Sequence, residues 1–149
     1  MAIAKAYDDL IMDHIKNARG YHELAQPTHS AKGTNPLCGD EITVYLRIAD
    51  DRVVETAYQC ACCGICMASA SIMTESVSGA NVGEARQQLK NVLSGVAAAA
   101  DAVSGNAPAS QLALFRTALE FPARTRCAML PWMTLEAALD QRPEAVFER

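Results

Sequence analysis

The fold is decided by residues 42–66, which read ITVYLRIADDRVVETAYQCACCGIC. Apolar and polar side chains alternate along residues 42–48, a pattern that predicts a half-buried β-strand. Asp50-Asp51 predicts a turn, and residues 52–59 predict the returning strand of an antiparallel hairpin. Four of the six cysteines in the chain follow within seven positions, at the end of that hairpin.

Outside the hairpin, apolar residues recur with helical spacing in five segments. These predict helices over residues 3–18, 67–77, 82–93, 110–119 and 126–139. Pro131 is expected near the first turns of the last helix, where its missing N–H costs least.

Two stretches between these elements predict irregular structure. Residues 20–41 are rich in Gly, Pro, Ser, Thr and Asn and predict mainly loop, with a short edge strand around residues 21–26 as an option. Residues 94–109 are dominated by Ala, Ser and Gly and predict an inserted segment. The whole chain, residues 1–149, is therefore expected to be a single α+β domain, a small antiparallel three-stranded sheet with helices packed on one side.

Composition narrows the function classes. A chain of 149 residues with a net charge of −4 and no clustered Lys or Arg argues against nucleic acid as the main partner. It has no apolar run long enough to cross a membrane, and its N-terminus does not resemble a secretory signal, so we expect a cytoplasmic protein. Thiols in that compartment more often bind metal or carry out sulfur chemistry than form structural disulfides.

Three cysteines lie in separate segments that each resemble part of a metal site. Cys38 and Asp40 flank a glycine, so both side chains can turn toward one ion, although a simple turn is the alternative interpretation. Cys63 lies at a predicted strand–helix junction, and Cys127 lies near the start of the last predicted helix, where the helix dipole favours a thiolate. Zinc accepts sulfur and carboxylate ligands in a tetrahedral site.

With their flanking residues, these segments resemble the U-type iron–sulfur cluster assembly proteins, the family of IscU, SufU and the N-terminal domain of NifU. The resemblance is carried by YDDLIMDHIKNAR at 7–19, NPLCGD at 35–40, Cys63 followed by ASAS at 68–71, and RTRCAMLPW at 124–132. It covers about residues 5–140, with four motifs in the family order. It implies the SufE/NifU-like fold.

Within the family, the chain is most similar to the SufU-type branch. The 64 positions between Cys63 and Cys127 match the longer interval of that branch, and residues 94–109 would be part of its insertion. Arg126 stands where IscU-type proteins place a histidine just before the third cysteine.

The resemblance implies a function and a set of residues. One Zn²⁺ would be bound by Cys38, Asp40, Cys63 and Cys127. The partner would be a PLP-dependent cysteine desulfurase (SufS-like), with downstream cluster scaffold or carrier proteins receiving the sulfur. Cys127 would be the favoured persulfide acceptor, with Cys38 and Cys63 chemically able to replace it. Arg124 would hold a thiolate or persulfide, or would form an ordinary surface salt bridge. Such a protein is a sulfurtransferase-like acceptor and not an independent enzyme.

The chain also departs from the family pattern. Cys60 and Cys62 stand where the family has glycines, and Cys66 is an additional thiol. We expect these three to line the site or to form a disulfide on oxidation.

Three alternatives stay open. The same residues suit a transient [2Fe–2S] scaffold of the IscU type, and they also suit a purely structural zinc module that binds a protein partner. A thiol–disulfide redox protein using Cys60/Cys63 or Cys63/Cys66 ranks last, because no thioredoxin-like βαβ setting surrounds them.

Among the remaining candidates, we expect His14 to be structural, Trp132 to pack against the sheet or mark a partner surface, and Ser69 not to act as a nucleophile.

Overall fold

The structure is a computed structural model that describes residues 9–37, 39–97 and 109–146. In chain order its elements are α1 (Asp9–Lys16), β1 (His29–Asn35), β2 (Asp40–Ala49), β3 (Arg52–Ala61), α2 (Gly64–Val77), α3 (Val82–Ala97), α4 (Ala109–Glu120), a short 3-10 helix (Pro122–Arg124), α5 (Thr125–Leu139) and β4 (Glu144–Val146). Among the described helices, none has the length and apolar character needed to cross a bilayer.

The sheet has four strands in the order β3-β2-β1-β4. The first three pair antiparallel, and β4 pairs parallel to β1. The α+β prediction is confirmed. The sheet has four strands where three were predicted, and β4 is the additional one. That strand comprises three residues, which is too few for an alternating pattern to be recognised in a sequence.

The strand β1 lies in the stretch for which the sequence predicts loop. The optional edge strand at residues 21–26 is wrong, since only Tyr21 forms an isolated bridge there, to Tyr58. The sequence of β1, HSAKGTN, is poor in β-branched and aromatic residues, which explains the miss. Its buried Gly33 is required by close packing, because a Cβ at this position would overlap Oγ1 of Thr134 on α5.

The hairpin prediction is confirmed. Asp50 and Asp51 both adopt positive φ, 53° and 61°, as tight two-residue hairpin turns require. The strands β2 and β3 pair from Ala49 with Arg52 down to Glu41 with Ala61, with one irregularity between Arg47 and Ile48. The hairpin therefore delivers the cysteine-rich segment to the same end of the sheet as the start of β2.

Helices α2 and α5 cover the apolar face of the sheet. Helix α5 packs on β1 and β2, and α2 packs on α5 and β3. The largest side chains between these layers, including Trp132, Tyr58 and Leu46, are fully buried. Trp132 is thus part of the core, which confirms the first of its two interpretations.

The other predicted helices are present with altered bounds. Helix α3 continues to Ala97, beyond its predicted end, so the start of the predicted insertion at 94–109 is helical. The rest of that prediction, residues 98–108, lies outside the described residues, as does the start of the first predicted helix. Pro131 lies inside α5 and not in its first turn.

Candidate metal centre

The loop between β1 and β2 positions Asp40. Asn35, the last residue of β1, pairs with Asp40, the first residue of β2. The Asn35 carbonyl accepts the Gly39 N–H at 2.9 Å, and its side-chain Oδ1 accepts the Leu37 N–H at 3.2 Å. Gly39 has φ +75°, a left-handed conformation that glycine adopts without strain. The sharp loop therefore sets the Asp40 carboxylate at the end of the sheet, where it is buried.

Helix α2 positions Cys63. This cysteine is the N-cap residue of α2, with extended backbone dihedrals, and its side chain is half-buried. The backbone N–H groups of Ile65 and Cys66, in the first turn of α2, lie close enough to the Cys63 thiol to lower its pKa. Free N–H groups at a helix N-terminus favour negative charge, so this position suits a thiolate.

Helix α5 positions Cys127, in its first turn and buried. A buried hydroxyl fixes this turn against α2. Oγ of Ser69 donates to the Ala128 carbonyl at 2.5 Å and accepts the Trp132 Nε1–H at 3.0 Å. Ser69 therefore has a structural role, and it holds the segment carrying Cys127 beside the segment carrying Cys63.

The three side chains meet in one cluster, which we call the acid–thiol triad: Asp40, Cys63 and Cys127. Their ligand atoms all lie within 4.8 Å of one another. Oδ2 of Asp40 is buried and has no hydrogen-bond partner among the described residues. A buried carboxylate oxygen without a partner is costly, and a bound cation would remove that cost. The donor set of two sulfurs and one carboxylate fits zinc.

Cys38, the fourth predicted ligand, lies outside the described residues. Its assignment remains a prediction. The three predicted ligands that the structure describes are brought together from β2, α2 and α5, three segments far apart in the sequence.

The two triad thiols differ in pKa. The Cys127 thiol donates a hydrogen bond to the Cys63 sulfur, which lowers the pKa of Cys63 to about 6, with help from the α2 backbone N–H groups. The pKa of Cys127 is raised, first by that same hydrogen bond and then by burial. The pair thus favours a Cys63 thiolate beside a protonated Cys127.

The other predicted residues lie around or away from the triad. Arg124 is exposed at the N-cap of α5, and Arg126 is half-buried in its first turn. His14 is buried on α1, where its Nδ1 bonds Oγ of Ser71 at 2.7 Å and its Nε2 lies 3.7 Å from Glu75. The structural interpretation of His14 is confirmed.

The extra cysteines form a second group beside the triad, which we call the second sulfur group: Cys60, Cys62 and Cys66. Cys60 and Cys62 are joined by a disulfide, and the Cys66 side chain contacts that of Cys62. Neither Cys60/Cys63 nor Cys63/Cys66 pairs. The expectation that the extra thiols can form a disulfide is confirmed, with Cys60 and Cys62 as the pair.

Comparison with known proteins shows which family this chain matches. Residues 6–145 match the NifU-like N terminal domain. The chain is similar to the iron–sulfur cluster assembly scaffold protein IscU of Thermotoga maritima, at 30% identity over 93% of this chain and 96% of that one. It is equally similar to the zinc-dependent sulfurtransferase SufU of Bacillus subtilis, at 30% identity over 87% and 86% of the two chains. The crystal structure of SufU from Fervidobacterium islandicum superposes with a TM-score of 0.80, at 28% identity over 90% of this chain and 96% of that chain.

Proposed function

Because the chain belongs to the family of NifU-like N-terminal domains, the U-type iron–sulfur cluster assembly proteins, we propose that it accepts sulfur from a cysteine desulfurase at a zinc site. The proposed ligands are Asp40, Cys63 and Cys127, with Cys38 as the fourth. The observation that carries the proposal is the acid–thiol triad, with its buried and unpartnered carboxylate oxygen.

The spacing of the triad favours a single ion over a cluster. Ligands on one tetrahedral zinc, at about 2.3 Å from the metal for sulfur, stand on the order of 4 Å apart. The ligand atoms of the triad lie within 4.8 Å of one another, which agrees with that geometry. A [2Fe–2S] cluster divides its ligands between two irons, so ligands on different irons stand further apart.

Zinc bound there would keep its cysteine ligands deprotonated and therefore able to attack a persulfide. Cys63 is the half-exposed thiol of the two described ones, whereas Cys127 is 2% exposed. We propose that sulfur reaches either thiol and passes between them, since their side chains are in contact. Arg124, exposed at the start of α5, would attract the anionic persulfide of the incoming enzyme.

The proposed sulfur donor is a PLP-dependent cysteine desulfurase of the SufS type. Downstream scaffold or carrier proteins would then receive the sulfur. The proposed setting is the cytoplasm, where the reducing poise keeps acceptor thiols free.

The test is persulfide acceptance by the zinc-loaded chain. The chain is incubated anaerobically with the desulfurase and L-cysteine, and intact-mass spectrometry measures its gain of one sulfur, about 32 Da per persulfide. We expect that gain in the wild type together with faster alanine release by the desulfurase. Cys63→Ser and Cys127→Ser should each lose most of that stimulation, and Arg124→Gln should weaken it without loss of zinc.

A matched reconstitution with iron and sulfide separates the alternatives. A stable visible chromophore and no stimulation of the desulfurase would favour the [2Fe–2S] scaffold, in line with the similarity to the iron–sulfur cluster assembly scaffold protein of Thermotoga maritima. Retained zinc with neither sulfur gain nor stimulation would identify a structural zinc module, and would overturn the proposal.

A further inference from the structure

The second sulfur group takes no part in the sulfur transfer described so far. Cys60 lies at the end of β3, Cys62 in the two-residue link that follows, and Cys66 in the first turn of α2. The disulfide between Cys60 and Cys62 has a Cα–Cα distance of 5.6 Å, well within the range that disulfides span. Both residues are half-buried, whereas Cys66 behind them is fully buried. The pair therefore reaches the molecular surface, and Cys66 supports it from the core.

This group adjoins the acid–thiol triad. Cys62 and Cys63 are consecutive in the chain. In the β2–β3 ladder Ile42 pairs with Cys60 and Glu41 with Ala61, so the same register brings Asp40 level with Cys62. Cys60, Cys62 and Cys63 all pack against the core cluster that contains Cys66, so the second group and the Cys63 side chain border the same part of the core.

Local geometry brings Cys60 and Cys62 together. Cys60 lies on β3, Cys62 follows Ala61, the last residue of that strand, and both side chains pack against the core. A sequence with glycines at these two positions would build the same strand end without any redox chemistry. The two thiols are therefore an addition to the site and not a requirement of its fold.

The sulfur delivered as a persulfide must be reduced before it can enter an iron–sulfur cluster, and a pair of thiols can supply the electrons. A persulfide carries its outer sulfur at the oxidation level of elemental sulfur, whereas an iron–sulfur cluster is built from sulfide. Each transferred sulfur must gain two electrons, which is the number that two thiols release when they form a disulfide.

We propose that the Cys60–Cys62 dithiol is a built-in reductant that converts a sulfane sulfur carried on Cys63 into hydrogen sulfide. This inference rests on the proposed function, because it needs a persulfide on the triad. The disulfide present in the structure is the oxidised state of the pair after one turnover. A dithiol reductant from outside the chain would restore it.

The reaction proceeds in two exchanges, each a thiol attack on a sulfur–sulfur bond. Sγ of Cys62 attacks the outer sulfur of the Cys63 persulfide, that sulfur leaves Cys63, and Cys63 takes the proton that Cys62 gives up. Sγ of Cys60 then attacks Sγ of Cys62, and the outer sulfur leaves with the proton from Cys60 as hydrogen sulfide. In sum, one persulfide and two thiols give one thiol, one hydrogen sulfide and one disulfide.

The test measures sulfide release from zinc-loaded chains in a single turnover. Pre-reduced wild type, freed of reductant, receives stoichiometric L-cysteine and a catalytic amount of desulfurase under anaerobic conditions. We expect about one sulfide per chain and a mass loss of about 2 Da that peptide mapping assigns to a Cys60–Cys62 disulfide. Cys60→Ser and Cys62→Ser should keep the added sulfur as persulfide and release at least tenfold less sulfide, on the order expected for loss of an intramolecular partner.

Two controls fix the interpretation. In pre-oxidised wild type the Cys60–Cys62 disulfide is already formed, so the chain should gain sulfur and release no sulfide. Because its sequence is unchanged, this result does not depend on whether the serine variants fold. Cys66→Ala leaves the pair intact and should release sulfide like the wild type. Equal sulfide release from reduced wild type, oxidised wild type and both serine variants would overturn this inference alone. A wild-type chain that gains no sulfur in either redox state would instead refute the sulfur-acceptor function.

Discussion

The acid–thiol triad and the second sulfur group share one end of the sheet, but they are built in different ways. The triad unites residues 40, 63 and 127 from the starts of three elements, β2, α2 and α5. The second group comes from seven consecutive positions at one strand–helix junction. A site assembled by tertiary contacts depends on how the layers pack, whereas a pair of residues two apart in the chain depends mainly on the local backbone. Changes to the packing should therefore alter metal binding and leave the Cys60–Cys62 chemistry intact.

The largest expected effect is on stability: removing zinc from the triad should lower the free energy of unfolding more than reducing the Cys60–Cys62 disulfide does. Zinc at a free concentration about a thousandfold above its dissociation constant stabilises the folded chain by about 4 kcal/mol. Reducing the short Cys60–Cys62 loop should change stability by less than about 2 kcal/mol. Urea unfolding with zinc, with a chelator and with a reductant measures both effects. Cys63→Ser is the control, and it should abolish the response to zinc while keeping the response to reductant. An equal zinc response in that variant would place the metal elsewhere.

Gly33→Ala should disturb the triad from a distance. The added Cβ would overlap Oγ1 of Thr134, pushing α5, which carries Cys127, away from β1. Overpacking of this kind should destabilise the chain by about 3 kcal/mol and weaken zinc binding. The matched variant is Gly33→Ala with Thr134→Ala, which removes the overlapping hydroxyl. Chemical denaturation of the four members of the cycle should show that the second change recovers part of the loss. Simple additivity would contradict this explanation of the glycine.

Ser69→Ala should loosen the two helices that hold the triad cysteines. It leaves the Trp132 Nε1–H and the Ala128 carbonyl without the hydroxyl that both bond, at a cost of about 2 kcal/mol. Ser76→Ala is the matched control on α2. Its hydroxyl donates to the Ile72 carbonyl one turn back and accepts from Gln111, which keeps a second bond to Gln88, so the change should cost less than about 1 kcal/mol. Zinc titration should show weaker affinity for the first variant only. Unchanged affinity in both would mean that this hydroxyl does not position the site.

The smallest expected effect is a pH dependence from a residue outside both groups. Burial, and then the Arg19 charge, hold the pKa of His14 below its usual value, against the opposing charges of Glu75 and Asp13. The unfolded chain therefore binds a proton at a pH where the folded chain does not, and this contribution to stability is present above the ordinary histidine pKa of about 6.5 and lost as pH falls below it. Denaturation midpoints of His14→Gln should fall less between pH 7.5 and 5.5 than those of the wild type, and a steeper fall would refute this assignment.

The β2–β3 hairpin could be predicted from the sequence, whereas β1 could not. Alternation along residues 42–48 and the Asp50-Asp51 turn reflect local physics, so these elements were predicted correctly. The strand β1 owes its conformation to pairing with β2 and to α5 lying on Gly33, and no local pattern records such contacts. The short strand β4 was not predicted either, because it too owes its conformation to pairing, in this case with β1.

The site shows a similar division. Asp40, Cys63 and Cys127 were predicted as ligands from motifs and family resemblance, and the structure brings all three together. Their mutual approach is set by the packing of α2 on α5, including the Ser69 hydroxyl, and no sequence pattern connects that hydroxyl with metal binding. A disulfide among the extra thiols was predicted, and the structure adds that Cys60 and Cys62 form it, across the point where β3 ends.

The central claim is that the triad holds one zinc and that the second sulfur group does not. Native mass spectrometry with metal analysis tests it on the wild type and on single variants of all six cysteines and Asp40. The account predicts about one zinc per chain in the wild type and in Cys60→Ala, Cys62→Ala and Cys66→Ala, and a loss of about tenfold or more in affinity in Asp40→Ala, Cys38→Ala, Cys63→Ala and Cys127→Ala. Zinc retained in Asp40→Ala, Cys63→Ala and Cys127→Ala but lost when Cys60, Cys62 or Cys66 is changed would contradict it.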